Sequence, residues 1–153
     1  MKITTKAYGP IDIDERQIIV FPVGLFGFEN LREYALLDAA QQPFYWLQSL
    51  DSEKIAFILI KPQIFRPDYK PEIPQEELKD IDLRTEEEPN ALTFSIVNIP
   101  SGDQNKMSAN LQGPIIINKE KRIGRQFISS NPDWKIKHFI LEELAERSKE
   151  NIC

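Results

Sequence analysis

His138 is the only histidine in the chain. A Ser-His-Asp arrangement would have to be built on it, and a zinc site would have to complete itself with carboxylates. No HExxH motif or other catalytic spacing surrounds it, so the expected role is structural or capping. Cys153, the one thiol, is the last residue, where a fraying end does not hold a nucleophile beside a base. With a single cysteine, neither an intramolecular disulfide nor a cysteine metal cluster is expected, which fits a reducing compartment. Gly24-x-x-Gly27 matches neither the GxxxxGK[ST] nor the GxGxxG phosphate-binding pattern and reads as a turn.

Two clusters have the residue types for nucleic acid. Phe44, Tyr45 and Trp46 have rings able to stack bases, but strand alternation sends Phe44 and Trp46 to one face and Tyr45 to the other, so core packing is expected for the first pair. Lys119, Lys121, Arg122 and Arg125 form the best basic patch, interrupted by Glu120 and without an interleaved aromatic. A solvated hairpin tip explains them. The alternative is a nucleic-acid-binding β-barrel that uses this basic tip, with affinity falling steeply as salt rises. A net charge of -5 and a pI near 5.0 oppose that alternative, because the average field repels phosphate. Residues 72–88 hold eight acids against two bases. They lack the ligand spacing of an EF-hand, which leaves a solvated face or a surface for docking a basic protein. A hydrolase built on His138 is the weakest of these readings.

The elements that must position these groups are mostly strands. At 153 residues with 41% hydrophobic content, one core and one domain spanning 1–153 are expected. Its fold class is mainly β: a small antiparallel β-barrel-like domain with a few short helices and a C-terminal amphipathic helix. Lys2 to Ala7, Ile11 to Asp14 and Ile18 to Phe21 read as an opening β-meander. The segment from Pro22 to Asn30 reads as a sharply bent loop that sends apolar groups inward, and Tyr34 to Leu37 resumes the sheet. Gln42 to Leu50 and Lys54 to Ile60 are expected as neighbouring antiparallel strands.

Four prolines between Pro62 and Pro74 exclude a central strand and suggest an extended surface segment, followed by a short helix from Pro74 to Ile81. Ala91 to Ile99 alternates as a strand, and Met107 to Leu111 leads into another. Pro114 to Asn118 and Ile123 to Ile128 flank the Lys119-Glu120-Lys121-Arg122 tip of a hairpin. From about residue 135 to 153 the period changes to that of a helix, with Ile136, Ile140, Leu141, Leu144 and Ala145 on one face. The longest aliphatic and aromatic run, Ile55 to Ile60, is far short of the roughly 20 residues of a membrane-spanning helix. The start of the chain alternates where a secretory signal would be continuously apolar, so the expected location is the cytoplasm.

Several blocks together resemble one family. FPVGLFGFE at 21–29, YALL at 34–37, PFYWLQSL at 43–50, and SANLQGPIIIN at 108–118 followed by Gly124-Arg125-Gln126 are similar in content and order to the FliW family of bacterial flagellar assembly factors. The resemblance covers most of residues 1–130 and is less distinct in the final helical segment. It implies a small barrel-like domain without catalytic residues, metal or cofactor. It further implies a cytoplasmic monomer that binds newly made flagellin and, once flagellin is exported, binds the RNA-binding translational repressor CsrA. Neither direct nucleic-acid binding nor membrane attachment is implied. Within the resembling blocks the expected partner-binding residues are Phe26, Phe28 and Glu29, then Tyr45 and Gln48 set on one face of their strand, and Asn110 and Asn118 flanking the hairpin; the plainer alternative is that Phe26 and Phe28 fill the barrel end and the two Asn satisfy turn amides.

Overall fold

The computed structural model describes the backbone of residues 1–152 and the side chains of residues 1–147; Cys153 lies outside the described residues. Short alternating segments become eleven strands: β1 (Lys2–Thr5), β2 (Gly9–Asp12), β3 (Ile18–Val20), β4 (Glu33–Asp38), β5 (Tyr45–Ser49), β6 (Ala56–Ile60), β7 (Ala91–Asn98), β8 (Ser108–Ala109), β9 (Ile115–Asn118), β10 (Ile123–Gln126) and β11 (His138–Phe139). Two α-helices accompany them, α1 (Gln75–Leu78) and α2 (Ile140–Ile152).

Seven of the strands close a barrel in the order β7, β6, β5, β4, β3, β10, β9 and back to β7. Closure depends on the length of β7. Its first half pairs with β9, from Ala91 opposite Asn118 to Phe94 opposite Ile115. Its second half pairs with β6, from Ser95 opposite Ile60 to Val97 opposite Ile58. All neighbours in the barrel are antiparallel except β3 and β10, which meet in parallel at Val20 and Ile123. Strands β8 and β11 extend the sheet beyond β7.

Because side chains alternate across a strand, one set fills the barrel and the other faces outward. The interior set includes Ile19, Phe21, Tyr34, Leu47, Leu59, Phe94, Ile115 and Ile117, all buried. Aromatic edges meet faces here, as with Phe21 and Tyr34 at 5.2 Å between centroids. Burial raises the Tyr34 phenol to a pKa of about 12. The Phe21 ring also needs the absence of a side chain at Gly124, where a Cβ would stand 2.7 Å from Cε2.

Three expectations change. The opening is not a continuous meander: β1 and β2 pair only with each other, from Lys2 opposite Asp12 to Thr5 opposite Gly9, while β3 joins the barrel. A capping box redirects the chain between them. The Asp14 carboxylate accepts from the Arg16 amide, and Gln17 Oε1 accepts from the Asp14 amide, both at 2.9 Å. The detached hairpin lies on the outside of the barrel, its Ile3, Ile11 and Ile13 packed with Ala35, Leu37 and Trp46.

The proline-rich segment, secondly, is not merely superficial. Proline excludes it from the ladder, yet Phe65, Tyr69 and Ile73 between the prolines are buried. Tyr69 donates its hydroxyl to the Leu111 carbonyl at 2.8 Å and packs edge-on against Trp134 at 4.8 Å. Thirdly, the last helix begins at Ile140. Residues 134–139 have their backbone engaged elsewhere: the Lys135 carbonyl accepts from the Leu111 and Gln112 amides, and His138 and Phe139 pair with β8. Ile140 is buried, Arg66 bonds Glu143 at 2.6 Å, and Arg147 donates to the Phe65 carbonyl at 2.9 Å. Ile136, Leu141 and Leu144 are exposed.

Candidate functional site

The loop from Pro22 to Asn30 divides its apolar residues between interior and surface. Gly24 adopts a left-handed φ of +68° and turns the chain over itself, its amide bonded to the Phe21 carbonyl at 2.8 Å. Leu25 then points into the core, and Phe28 rests edge-on against Phe57 at 5.1 Å. Between them Phe26 is 52% exposed, and Glu29 is exposed as well. An exposed Phe beside a carboxylate on a loop anchored at both ends is suited to gripping another protein, since little ordering entropy remains to be lost on binding.

Gln126, which sequence reading used only as part of a matching block, anchors this loop. Its Oε1 accepts from the Phe26 amide at 3.0 Å, and its Nε2 donates to the Gly113 carbonyl at 3.0 Å. The alternation of β10 marks Gln126 as one of a face, but not which distant amide it meets. Contact between residues 26 and 126 exists only once β3 and β10 lie side by side.

Of the other expected residues, Gln48 and Asn118 are buried and Tyr45 and Asn110 are half-buried. Tyr45 and Gln48 do not share a face, because three positions along a strand reverse the side. Tyr45 turns into the barrel, half-buried and edge-on to Phe94 at 5.2 Å. Gln48 turns outward beneath the β1–β2 hairpin and is 1% exposed. Its Oε1 accepts from the Lys6 amide at 2.9 Å, and its Nε2 donates to the Ser49 and Glu53 carbonyls at 3.0 and 3.1 Å. Gln48 thus ties the outer hairpin to the β5–β6 turn and has no free polar surface for a partner. Gln48→Ala is expected to lower unfolding stability by about 1–3 kcal/mol, the scale of buried groups left without partners. Urea titration checks this.

Asn110 Oδ1 accepts from the Gly113 amide at 2.8 Å and holds a turn. Asn118 is 4% exposed; its Oδ1 accepts from the Glu120 and Lys121 amides at 3.1 Å, and its Nδ2 donates to the Ile81 carbonyl at 2.9 Å. It folds the hairpin tip and joins it to the end of the helical segment after α1.

Two of the four cations of the tip pair with carboxylates. Lys121 pairs with Asp82 at 2.7 Å, and that hydrogen bond raises the Lys121 pKa above its ordinary value. Arg122 donates to the Glu15 carbonyl at 2.9 Å, while Arg125 pairs with Asp80 and lies over the Phe127 ring. The basic patch and the acidic segment therefore meet at Lys121 and Arg125, which weakens the field available to attract phosphate. Other acids of that segment cap their own loop: Glu86 accepts from the Glu72 and Ile73 amides, and Glu88 from those of Arg84 and Thr85. His138 is similarly occupied. Its Nε2 accepts from the Lys135 amide at 2.8 Å, and its Nδ1 faces Glu143 at 3.1 Å. Nδ1 thus fastens the end of the sheet to α2, while Nε2 holds the turn that precedes β11.

Comparison with known proteins bears on the family and the fold. The family model described as FliW protein matches residues 2–140. Among curated relatives, the flagellar assembly factor FliW of Treponema denticola is 45% identical over 144 residues, covering 94% of this chain and 96% of that one. Its counterpart in Leptospira interrogans serogroup Icterohaemorrhagiae serovar Lai is 44% identical over 146 residues, covering 95% and 96%. That of Treponema pallidum is 40% identical over the whole of both chains. A crystal structure of the flagellar assembly factor FliW superposes with a TM-score of 0.81 at 33% identity, covering 92% of this chain and 96% of that chain.

Proposed function

This chain belongs to the FliW family of flagellar assembly factors, and on that premise we propose that it works as a partner switch between flagellin and the translational repressor CsrA. While flagellin accumulates, it occupies the protein. When flagellin is exported, the freed protein binds CsrA and relieves repression of flagellin messenger RNA. The output is synthesis matched to export, achieved by binding alone, in the cytoplasm and by a monomer.

The observation that carries this reading is the family match over nearly the whole chain. Electrostatics supports the CsrA half. An RNA-binding protein presents cations to phosphate, and a net charge of -5 favours encounter with it. Glu29 is exposed on the anchored loop that also exposes Phe26, and its carboxylate would meet such a surface. Exclusion between the two partners does not require shared contact residues, since overlap of their bulk or coupling through the barrel produces it. No helix among the described residues is long and apolar enough to cross a membrane.

Calorimetric titration with flagellin and with CsrA, each repeated in the presence of the other, tests the switch. The expected result is binding to both and loss of either heat when the other partner is present. Glu29→Arg is expected to weaken CsrA binding by about tenfold or more without lowering the melting temperature, since the side chain is exposed. Failure of the wild-type protein to bind either folded partner would overturn the proposal.

A further inference from the structure

An apolar groove of about 510 Å³ opens on the outside of the barrel, away from the Phe26–Glu29 loop in sequence and in its lining. Its floor follows from the parity of β5 and β6. Trp46 and Ile58 are cross-strand partners whose side chains face outward, and Phe44, Ile99 and Met107 complete the surface. All five are only half-buried. The β1–β2 hairpin covers one flank of Trp46 but ends before it covers the rest. The Tyr8 hydroxyl accepts from the Ala40 amide at 2.7 Å, joining the hairpin turn to the β4–β5 loop and holding two walls at a fixed separation.

A single charged side chain lines this groove, Lys6 at the rim. Its amide is held by Gln48, so the base of the side chain is fixed there. An apolar floor containing Trp, Phe and Met has the composition of the centre of a protein interface, and its half-buried rings gain from being covered. The one cation selects against a basic occupant and favours a carboxylate on the flank of an apolar one. Of the two partners in the proposed switch, an RNA-binding repressor is the wrong sign for Lys6. A filament subunit held before assembly still carries the apolar faces that it will later bury against its neighbours.

We propose that this groove is the docking site for flagellin, taking an apolar segment whose carboxylate meets Lys6. The inference rests on the flagellin half of the proposed function. It assigns the two partners to different contact surfaces, the groove to flagellin and the Glu29 loop to CsrA.

Two substitutions test it without disturbing the core, because both side chains are exposed and both backbone bonds are retained. Ala40→Arg fills the groove from one wall, and Lys6→Glu reverses the rim charge; Gln104→Arg, at another exposed lining position, replaces the first if that variant lowers the melting temperature. Purified flagellin and purified CsrA are titrated into each variant. Flagellin binding is expected to weaken by about tenfold or more in each, with CsrA binding kept within about twofold. Trp46 supplies a direct signal: in the wild type its emission is expected to shift to the blue as flagellin covers it. The other tryptophan, Trp134, is 4% exposed and already covered. Unchanged flagellin affinity in the variants, or loss of CsrA binding in place of flagellin binding, overturns the groove assignment while leaving the switch intact. A wild-type protein that binds neither partner overturns the switch itself.

Discussion

Gly24→Ala is expected to lower unfolding stability by about 2–5 kcal/mol, combining the left-handed backbone penalty with the cost of forcing a methyl group into filled space. The space is filled by backbone. A Cβ at residue 24 would lie 2.6 Å from the Glu29 Cα and 2.7 Å from the Phe28 carbonyl oxygen. Neither can rotate away, so relief requires the chain from Leu25 to Glu29 to move, and with it Leu25 in the core and Phe26 and Glu29 on the surface. Gly27→Ala provides the internal control. Gly27 also has positive φ, at +85°, but among the described residues nothing beyond its own chain neighbours lies within 4 Å of its hypothetical Cβ. Only the conformational penalty of about 1–2 kcal/mol is expected there. Denaturant unfolding of the two variants separates the effects. Equal losses would show that the close approach of residues 24 and 29 contributes nothing.

Phe94→Ala is the second large effect. Phe94 is 1% exposed and sits at the point where β7 turns from one neighbour to the other, opposite Ile115 on β9 and edge-on to Tyr45 across the interior. Truncation empties the middle of a closed barrel, whose hydrogen-bonded wall cannot collapse inward as a loop can. A loss of about 3–5 kcal/mol is expected, toward the upper end because relaxation is restricted. Against a typical unfolding free energy of about 5–15 kcal/mol, this leaves a marginal domain. Thermal melting monitors it, with roughly 2–4 °C expected per kcal/mol for a domain of this size. A shift of only a few degrees would mean that neighbouring rings fill the void.

These two residues also show how legibility varies along the chain. The strand from Ala91 to Asn98 was readable because Leu92, Phe94 and Ile96 fall on one face, with Thr93 and Ser95 between them on the other. Gly24 was readable as a turn, though not as a crossing point, since nothing local specifies that residue 29 returns to within van der Waals distance. Gln48 and Asn118 stood out as polar residues within apolar blocks, which fits a binding surface and an internal clamp equally well. Burial at 1% and 4% distinguishes the two, and burial depends on the hairpin that covers Gln48 and on the helical segment that meets Asn118.

The ordered blocks carried the resemblance to the FliW family, while composition and alternation determined by themselves a mainly β fold with β5 beside β6, a β9–β10 hairpin and an acidic net charge. Such properties are local or additive: period-2 patterning, turn chemistry and charge counts need no knowledge of distant contacts. Tertiary structure alone decided that β1 and β2 leave the meander, that Gln126 anchors a loop a hundred residues away, and that Lys121 and Arg125 of the basic tip pair with Asp82 and Asp80 of the acidic segment. It also decided that Trp46 lies at the floor of an open groove. Each of these depends on which strands become neighbours on barrel closure, and a seven-strand closure joins segments that no sequence window contains.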